Sequence, residues 1–405
     1  MIELDAARRL LLAACPPPRP VELPVPDAAG CVLARDVTAG TDVPPFDNSS
    51  VDGYAVRAAD VVGAEPGRPV ELAVLGTVLA GAVADRPVAA GQAWKVMTGA
   101  PLPPGADAVV MVERSEPVDG GRRVRLSAAA PAGAGVRRAG SDVARDELVL
   151  AAGTVLRPAH LGVLGSVGRQ RVPVFRRPRV GVLVTGDELI AAGELGPGQI
   201  YESNRAMLLA LVRQAHCEPV DLGIARDDVP ALQSRLAEVI GLCDVILTCG
   251  GVSMGDADPV KAVLDRLGRL TALQVAIRPA KPFAFGVLDG PTLLIGLPGN
   301  PVSALVSFQL LAAPALRHLM GYPQPFPRPV PAIAAGGFGR ARHDGRTGYL
   351  RASTEFGPDG RLHARPVTGQ DSHQLAASAD ATALAVVPDG VEIRAGDELS
   401  VLLFD

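Results

Sequence analysis

The sequence predicts a multidomain protein of the α/β plus β class, and three observations support this. Its 405 residues are too many for one compact core. Between residues 178 and 322, buried-strand patterns alternate with helical patterns at the spacing of βαβ units, which predicts a doubly wound α/β domain. Short Val-rich runs separated by Gly and Pro, on both sides of this region, predict smaller β-rich parts.

Two helices and a β-rich region are predicted before the α/β domain. Residues Leu4 to Cys15 have the pattern of an amphipathic helix, which a proline-rich stretch ends. A β-rich region is expected from about Phe46 to Val136, where short apolar runs alternate with turn residues. A linker follows it and ends in a helix from Pro158 to Val167.

The α/β domain is built from apolar strands and longer helical patterns. Its predicted strands are Arg179–Val184, Asp244–Leu247, Gln274–Ile277 and Thr292–Ile295. Its predicted helices are Asn204–Gln214, Val229–Ile240 and Asp258–Leu267. A proline cluster from Pro323 to Pro331 marks a domain boundary, and the remainder has the short strands and turns of a small all-β domain.

Composition excludes several functional classes. A formal net charge of −4 gives no electrostatic footprint for nucleic acid. No run approaches the ~18 apolar residues of a membrane span, and the apolar stretch before Cys15 is shorter than the ~7–15 residues of a signal core. The five cysteines show no C-x-x-C spacing, which argues against a disulfide framework or structural zinc. We therefore expect a cytoplasmic protein with reduced thiols.

Three polar, glycine-containing loops follow predicted strands, at residues 185–188, 248–258 and 296–303. In an open α/β sheet, ligands bind at the carboxyl ends of the strands, so these loops are expected to converge on one site. Glycines let backbone N–H groups approach an anion closely, and Pro301 suits the first turn of a helix. A single Gly-Gly turn of this kind would equally suit a tight strand-to-helix connection.

Carboxylates are concentrated in two of these loops, namely Asp187, Glu188, Asp256 and Asp258. Like charges in a small cleft repel one another, and a hard cation such as Mg²⁺ would relieve that repulsion while helping to bind phosphate. The alternative is helix capping, in which Asp258 faces the first turn of its own helix. Both interpretations remain open at this point.

Two cations lie on a stiff, proline-punctuated segment, Arg278 and Lys281. An arginine fork and a lysine point charge both suit a tetrahedral oxyanion or a phosphate, although a solvated loop would look the same. In the first half, the polar segment Asp47–Ala55 is a loop able to place carboxylates. The histidines are dispersed, and we expect a surface position for His373.

Taken together, the motifs resemble the molybdopterin molybdenumtransferase family, which includes bacterial MoeA and the E domain of gephyrin. The resemblance covers nearly the whole chain, and its motifs occur in the family's order. They are Pro45–Ser49, Asp52–Ala55, Met97–Pro103, Thr185–Leu189, Gly250–Ser253 and Leu297–Ser303.

The resemblance implies a homodimer of four-part subunits with a shared active site. It implies a linker domain from residues 1–45 and 137–177, and an inserted β-rich domain at 46–136. It further implies an α/β domain at 178–322, similar to molybdopterin adenylyltransferase, and a C-terminal β domain at 323–405. In such proteins the α/β domain of one subunit and the second domain of its partner form the cleft.

The reaction implied by the resemblance is insertion of molybdate into adenylylated molybdopterin, with Mg²⁺-dependent release of AMP to give molybdenum cofactor. The implied catalytic residues are Asp52, Thr98, Glu188 and Asp227, and the implied Mg²⁺ ligands are Asp258, Ser253 and Glu188. The implied substrate-binding residues are Gly250, Gly251, Ser253, Arg278, Lys281, Pro298, Asn300, Pro301, Ser303, Arg351 and Ser372. Expected partners beyond the homodimer are the molybdopterin adenylyltransferase and downstream cofactor-handling proteins.

Four positions depart from the family pattern. Arg278 stands where lysine is common, Ala280 where glycine is common and Ser141 where glutamate is frequent. Asp371 replaces a usual glycine, and its charge beside Ser372 would weaken an oxyanion site.

Other functions compatible with parts of the chain are the preceding adenylylation step, scaffolding, and binding without turnover. The β-rich motifs argue against adenylylation, because that activity needs only the α/β domain. The sequence leaves molybdate and tungstate equally acceptable, since the two oxyanions have nearly the same size and charge.

Overall fold

The computed structural model describes residues 1–226, 228–250, 268–288, 292–339, 341 and 343–404. The chain forms two compact units. The larger unit comprises Met1–Val21, Gly30–Ala34 and Pro173–Asp405, and the smaller unit comprises Glu22–Ala29 and Arg35–Val172. The finer division into four domains at the expected boundaries stays a prediction.

Six α-helices lie in the described part of the chain. They are α1 Leu4–Ala14, α2 Pro158–Ser166, α3 Asn204–Gln214, α4 Val229–Val239, α5 Pro301–Ser307 and α6 Ala313–Leu319. A π-helical turn, Phe308–Ala312, joins α5 to α6. The bounds of α3 match the prediction, and α1, α2 and α4 each end one residue earlier than expected. The predicted helix Asp258–Leu267 lies outside the described residues.

The strands are short in the first part of the chain. They are β1 Pro20–Pro24, β2 Val37–Thr38, β3 Asn48–Ser49, β4 Gly53–Val56, β5 Val70–Val78, β6 Gln92–Val96, β7 Ala108–Met111, β8 Ser115–Val118, β9 Arg123–Leu126, β10 Val136–Arg137, β11 Leu148–Leu150 and β12 Arg171–Phe175. The expected β-rich region from Phe46 to Val136 is therefore confirmed.

From residue 179 the described chain forms 14 further strands. They are β13 Arg179–Thr185, β14 Leu189–Ile190, β15 Ile200–Tyr201, β16 Glu218–Ala225, β17 Val245–Cys249, β18 Gly268–Gln274, β19 Ile277–Arg278, β20 Pro282–Leu288, β21 Leu293–Leu297, β22 Val330–Ala334, β23 Thr347–Phe356, β24 Leu362–Pro366, β25 Ala383–Val387 and β26 Glu398–Leu403.

The smaller unit is organised around a six-stranded sheet in the order β7-β4-β6-β5-β9-β8. All four residues of its inner strand β4 are buried, and successive side chains of a strand point to opposite sides, so both faces of β4 are covered. Tyr54 and Val56 join one hydrophobic cluster, whereas Ala55 joins another that contains Trp94. The sheet therefore separates two small cores.

The larger unit contains the predicted doubly wound α/β sheet, in the order β16-β13-β17-β21-β20-β18. The first four strands are parallel, whereas β20 runs antiparallel to both of its neighbours, β21 and the edge strand β18. Side chains of α1, α3, α5 and α6 pack on one face, and Leu232 and Leu236 of α4 pack on the other. The fold class is confirmed, and the antiparallel edge is a feature that the sequence analysis did not predict.

One described segment, Pro301–Leu319, is long and apolar enough by composition to cross a membrane. Of its apolar window, 83% is buried inside the protein, as is typical of a core helix of a soluble protein. Within it, the side chain of Arg8 donates a hydrogen bond from Nε to the Leu310 carbonyl at 3.0 Å. This bond fastens α1 to the π-helical turn.

The C-terminal strands form a closed β-barrel. The order β23-β24-β22-β26-β25 returns to its start, because β25 also pairs with β23. The short strand β19 pairs in parallel with the start of β23. The expected all-β part after the proline cluster is therefore present as a barrel.

Candidate functional site

A cleft of about 680 Å³ lies at the carboxyl ends of the central parallel strands in the larger unit. Strands β13, β17 and β21 are neighbours in the sheet and end at Thr185, Cys249 and Leu297. The cleft is lined by the ends of these strands and the segments that follow them, by segment 200–204, by the first residue of β20 and by two residues from beyond β24. These residues are Val184, Thr185, Glu188, Leu189, Ile200, Tyr201, Glu202, Ser203, Asn204, Cys249, Gly250, Pro282, Pro298, Gly299, Asn300, Pro301, His373 and Leu375.

The strand-end loops approach one another closely, and Gly250 leaves no room for a side chain. Gly250 has a φ of +97°, and a Cβ there would lie 2.6 Å from the Thr185 carbonyl oxygen. A Cβ on Gly299 would contact the Cα of Gly250 at 3.5 Å. The expected convergence of the three loops is thus present in the described part of each.

Glu188 brings a carboxylate to the cleft. Its side chain is exposed and, among the residues that the structure describes, makes no hydrogen bond or ion pair. It lies directly over Gly186, where a Cβ would come within 2.7 Å of its carboxylate oxygen. Gly186 has a φ of +155°, a backbone conformation that favours glycine, and a methyl group there would displace the flexible Glu188 carboxylate.

Several buried polar atoms around the cleft have no partner within the described chain. They include Thr185 Oγ1, Asn204 Oδ1 and Thr248 Oγ1. Asn204 Nδ2 donates to the Gly299 carbonyl at 2.6 Å, so this side chain ties α3 to the loop after β21. Burial raises the pKa of the Cys249 thiol to about 12, and its Sγ donates to the Pro298 carbonyl at 3.3 Å. This cysteine is therefore an unreactive part of the wall.

Asn300 precedes α5 and does not cap it. Its Nδ2 donates instead to the Ser372 hydroxyl at 3.2 Å, and the Val302 backbone N–H donates to the Ser372 carbonyl at 3.2 Å. These contacts join the segment after β24 to the start of α5. They bring Ser372, Asn300 and Pro301 together, whereas Ser303 is buried within α5.

Arg351 lies in β23 and is only 1% exposed. Its guanidinium donates to the carbonyls of Gly369, Asp371 and Gln374 and to the Ser378 hydroxyl, at 2.6, 3.4, 2.6 and 2.8 Å. All four acceptors are protein atoms and bind the two terminal nitrogens, whereas the buried Nε has no hydrogen-bond partner in the described chain.

The predicted cation pair has two different environments. Arg278 Nη1 lies 3.0 Å from the Asp344 carboxylate, which also accepts from Arg346 at 2.6 Å. The hydrogen bond from Arg346 and the charges of both arginines lower the pKa of Asp344 to about 2. Lys281 is half-buried, and its ammonium has no ion-pair or hydrogen-bond partner in the described ranges.

In the smaller unit, Asp52 and Thr98 are in direct contact. Asp52 precedes β4 and Thr98 follows β6, and the antiparallel register of these strands pairs Gly53 with Val96. Asp52 Oδ1 accepts from the Thr98 backbone N–H at 2.7 Å and from its hydroxyl at 2.9 Å. These bonds, with the charge of Lys95, hold the pKa of this exposed carboxyl below its usual range.

The motif around Asp52 is packed against the motif around Thr98. The Ser49 backbone N–H donates to the Ala100 carbonyl at 2.9 Å, and Gly99 donates to the Ser49 carbonyl at 2.8 Å. Gly53 has no room for a side chain, because a Cβ would lie 2.1 Å from the Val110 carbonyl oxygen. The local sequence therefore places the Asp52 carboxylate with little freedom.

Four predicted site residues, Asp227, Gly251, Ser253 and Asp258, lie outside the described residues. Among those described, no group of three or more His, Cys, Asp and Glu side chains is arranged to hold a metal ion. Glu188 is the one predicted Mg²⁺ ligand within the described ranges.

The sequence analysis missed several residues of the cleft. Tyr201 is 54% exposed, and its hydroxyl donates to the Gly193 carbonyl at 2.8 Å, which fixes the orientation of the ring. Asn204 and Leu375 also line the cleft, as does His373, which is exposed there. The rarity of aromatic residues, which make up only 3% of the chain, was the sequence signal that could have identified Tyr201.

Comparison with known proteins covers the chain from end to end. Residues 2–168 match the MoeA N-terminal region (domain I and II), 181–318 match a probable molybdopterin binding domain, and 337–404 match the MoeA C-terminal region (domain IV).

Relatives in two bacteria and one archaeal structure agree with this assignment. A molybdopterin molybdenumtransferase of Haemophilus influenzae is 35% identical, over 100% of this chain and 99% of its own length. Molybdopterin molybdenumtransferase 2 of Mycobacterium tuberculosis is 39% identical over 96% of both chains. The crystal structure of a molybdopterin biosynthesis MoeA protein from Pyrococcus horikoshii OT3 covers both chains completely, with a TM-score of 0.80 and 30% identity. The chain therefore belongs to the molybdopterin molybdenumtransferase family and is a transferase of molybdenum cofactor biosynthesis.

Proposed function

We propose that the protein inserts molybdate into adenylylated molybdopterin and releases AMP in a Mg²⁺-dependent reaction. The observation that carries this proposal is the cleft at the ends of β13, β17 and β21, with a glycine-lined floor and the Glu188 carboxylate at its side. Its volume of about 680 Å³ is within the usual range of small-molecule sites. We place the reaction in the cytoplasm.

Phosphate binding is assigned to the loops after β17 and β21. Gly250 and Gly299 carry no side chains that would keep a phosphate away from the backbone. Pro298, Asn300 and Pro301 continue this surface along the cleft. Gly251 and Ser253, which follow Gly250 in the sequence, are proposed to contribute to the same phosphate site.

A planar ring of the substrate is proposed to lie against Tyr201. The hydroxyl of this residue is already bonded to Gly193, so the ring is presented in one orientation. Stacking on an aromatic face is worth about 1 to 3 kcal/mol per base. Tyr201→Leu should therefore raise KM for adenylylated molybdopterin, and Tyr201→Phe should keep the ring and most of the affinity.

The chemistry of the available donors fits Mg²⁺. Glu188 offers a carboxylate without a protein partner in the described chain, and Thr185, whose buried hydroxyl has no partner there, also lines the cleft. Oxygen ligands of this kind suit a hard cation, and Ser253 and Asp258 are proposed to complete the set. Bound there, Mg²⁺ would neutralise phosphate charge as AMP leaves.

Molybdate is proposed to bind to the cations and hydroxyls that the resemblance implies. Lys281 and Arg278 would supply positive charge, and Ser372 and Ser303 hydroxyl groups. Lys281 is the more available of the two cations for binding an anion, because Arg278 already forms an ion pair with Asp344. Asp227 is proposed to act together with Glu188 as a catalytic residue.

Asp52 and Thr98 are proposed to act in a site shared between two copies of the chain, in the homodimer that the resemblance implies. Mixing an Asp52→Asn variant with a Glu188→Gln variant tests this directly. Random exchange of subunits should restore roughly a quarter of wild-type activity, because half of the dimers then carry one intact site of two. No recovery on mixing, with exchange of subunits verified, would exclude a shared site.

The function itself is tested by AMP release from adenylylated molybdopterin with purified protein and Mg²⁺, in the presence and absence of molybdate. We expect release that depends on molybdate and yields cofactor able to activate an apo-enzyme. Tight binding of the nucleotide without release would contradict the proposal and indicate a carrier. The same assay with added adenylyltransferase and a cofactor-accepting apo-enzyme tests the proposed partners, which should increase turnover.

A further inference from the structure

We infer that the side-chain oxygens of Glu202 and Asn204 form an acceptor pair that recognises the exocyclic amino group of a heteroaromatic ring in the substrate. Both residues line the cleft of the larger unit, directly after Tyr201 and at the start of α3. This inference rests on the proposed function and deepens it, because it names a further contact of the same substrate. The face of the ring would lie on Tyr201, and its edge would meet the acceptor pair.

Glu202 is a buried carboxylate with only one oxygen in a hydrogen bond. Its side chain is 4% exposed, although the residue lines the cleft. Oε1 accepts from the Arg205 backbone N–H at 2.7 Å, which satisfies one donor in the first turn of α3. Oε2 lies 3.9 Å from Arg205 Nε, too far for a hydrogen bond, and accepts none from the described chain. Helix capping therefore accounts for one oxygen of this carboxylate and leaves the other available to a ligand.

Asn204 supplies a second oxygen that lacks a donor. The residue is 7% exposed, and its amide group contacts the Gly299 carbonyl at 2.6 Å. A carbonyl can only accept, so the atom that faces Gly299 is Nδ2, and this contact fixes the direction of the amide. Oδ1 is buried and has no hydrogen-bond partner among the described residues. A buried acceptor without a donor is costly, so a ligand that supplies the donor gains the free energy of that hydrogen bond.

The two side chains lie near the same thiol in the wall of the cleft. Burial is the main cause that raises the pKa of Cys249 to about 12; the charge of Glu202 also raises it, and a hydrogen bond with the Asn204 side chain opposes this. The backbone of Glu202 is held as well, because its N–H donates to the Ile190 carbonyl at 2.9 Å. Glu202 and Asn204 therefore belong to one stretch of the wall, in which the backbone and the amide are already fixed.

The charges around the pair favour a neutral N–H donor over a metal ion. The Arg205 guanidinium lies 3.9 Å from Glu202 Oε2, and bonds to both carboxylate oxygens of Asp221, at 3.2 and 3.1 Å, hold it in place. A second cation beside this guanidinium would be repelled. An amino group on an aromatic ring is uncharged and offers two N–H donors. Adenylylated molybdopterin has such a group on its adenine and another on its pterin.

The test compares two pairs of ligands in which an oxo group replaces the amino group. AMP is paired with inosine monophosphate, and pterin is paired with lumazine. Carboxylate and amide oxygens repel an oxo group, so the wild-type protein should bind the amino member of one pair about tenfold more tightly or better. Isothermal titration calorimetry with the purified full chain measures the four dissociation constants. A preference within the nucleotide pair assigns the acceptor pair to adenine, and a preference within the other pair assigns it to the pterin.

Two variants decide whether the acceptor pair causes the preference. In Glu202→Gln the new amide oxygen must still accept from Arg205, so an NH₂ group takes the place of Oε2, and the preference should fall to about threefold or less. Asn204→Ala removes the second acceptor and should lower the preference about threefold. Because it also frees Gly299, the readout is the ratio of the two dissociation constants within a pair. Glu194→Gln, at an exposed position between β14 and β15, is the matched control and should keep the wild-type ratio.

Equal binding within both pairs by the wild-type protein, including no binding of either member, would overturn the inference. A wild-type ratio in Glu202→Gln would also overturn it, and if that variant does not fold, Asn204→Ala decides in the same way. Failure of the proposed function is distinguishable, because these titrations contain no molybdate and follow no release of AMP. A protein that releases AMP without discriminating within a pair refutes this inference alone. A protein that discriminates but releases no AMP on addition of molybdate refutes the transferase reaction alone.

Discussion

The two described carboxylates assigned to the reaction are held in opposite ways. In the smaller unit, Asp52 is fixed by two hydrogen bonds from Thr98, which also lower its pKa. In the larger unit, Glu188 has no such partner among the described residues and lies over Gly186, whose missing Cβ gives it room. Contacts within the protein therefore fix the charge and orientation of Asp52, whereas the orientation of Glu188 depends on what binds in the cleft.

Replacing each carboxylate by its amide sharpens this contrast and should have the largest effect. We expect Asp52→Asn and Glu188→Gln each to lower kcat on the order of 10²-fold or more, as for loss of a positioned acid–base or charged group. Excess Mg²⁺ should recover part of the rate of Glu188→Gln and none of that of Asp52→Asn. Steady-state kinetics over a Mg²⁺ series measures this, with Glu194→Gln as an exposed control. Equal responses to Mg²⁺ would break the contrast.

Filling the space under Glu188 should have the next largest effect. Gly186→Ala places a methyl group 2.7 Å from the carboxylate oxygen and strains a backbone with a φ of +155°. A displacement of about 1 Å at a reacting group can cost roughly 10²-fold, so we expect a loss in kcat between tenfold and that value. Gly67→Ala, at a position with open space, is the matched control. Full activity in Gly186→Ala would show that the position of Glu188 is unimportant.

Removing one of the two Thr98 donors should leave Asp52 with fewer hydrogen bonds and so make it more like Glu188, which has none in the described chain. Thr98→Val keeps the backbone N–H, the larger cause of the lowered pKa, and loses the hydroxyl, so the pKa of Asp52 should rise part of the way. The acid limb of a pH–rate profile reports protonation of an essential carboxylate, so it should shift to higher pH when the pKa of Asp52 rises. We also expect a loss of activity of about threefold at neutral pH. Thr98→Ser should restore the wild-type profile.

Asp344 is paired with two arginines, so contacts within the protein constrain it more strongly than Asp52 or Glu188. Its replacement should have the smallest effect. Two arginines keep its pKa at about 2, so it opposes the charge of Arg278 across the neutral range. Asp344→Asn should release Arg278 for an oxyanion and lower KM for molybdate about twofold to threefold. Asp359→Asn removes a carboxylate paired with His363 in the same barrel and serves as the control. A higher KM in Asp344→Asn would mean that the pair positions Arg278 productively.

Most of the α/β fold was predictable because its signals are local. Hydrophobic periodicity marked α3 and α4, and apolar runs marked β13, β17 and β21. The antiparallel edge formed by β18 and β20, and the closure of the barrel through β23 and β25, were not predicted. Such pairings depend on how segments meet after the chain has folded, and no local pattern encodes them.

The residues of the candidate site also fall into those that local sequence signals predicted and those that depend on long-range contacts. Gly250 and Glu188 were predicted because they follow strands that end at one edge of a sheet. The contact between Asp52 and Thr98 needed the register of β4 and β6, so only the resemblance placed these residues in one site. The burial of Arg351 and the exposure of Tyr201 follow from long-range packing, which the sequence pattern does not reveal.

The placement of α1 has a consequence for the order of folding during synthesis. Ala7 and Leu11 belong to a core that also contains Leu310 and Leu316, and Arg8 bonds to the Leu310 carbonyl. Because roughly 300 residues separate these partners, a ribosome adding 5–20 residues per second needs about 15–60 s to supply them. The smaller unit lies between α1 and Leu310 in the sequence. The whole of this unit is therefore synthesised before the partners of α1, whose apolar face stays uncovered until then. The first helix of the chain is therefore among the last to be buried, and a nascent-chain chaperone has a long interval in which to hold it.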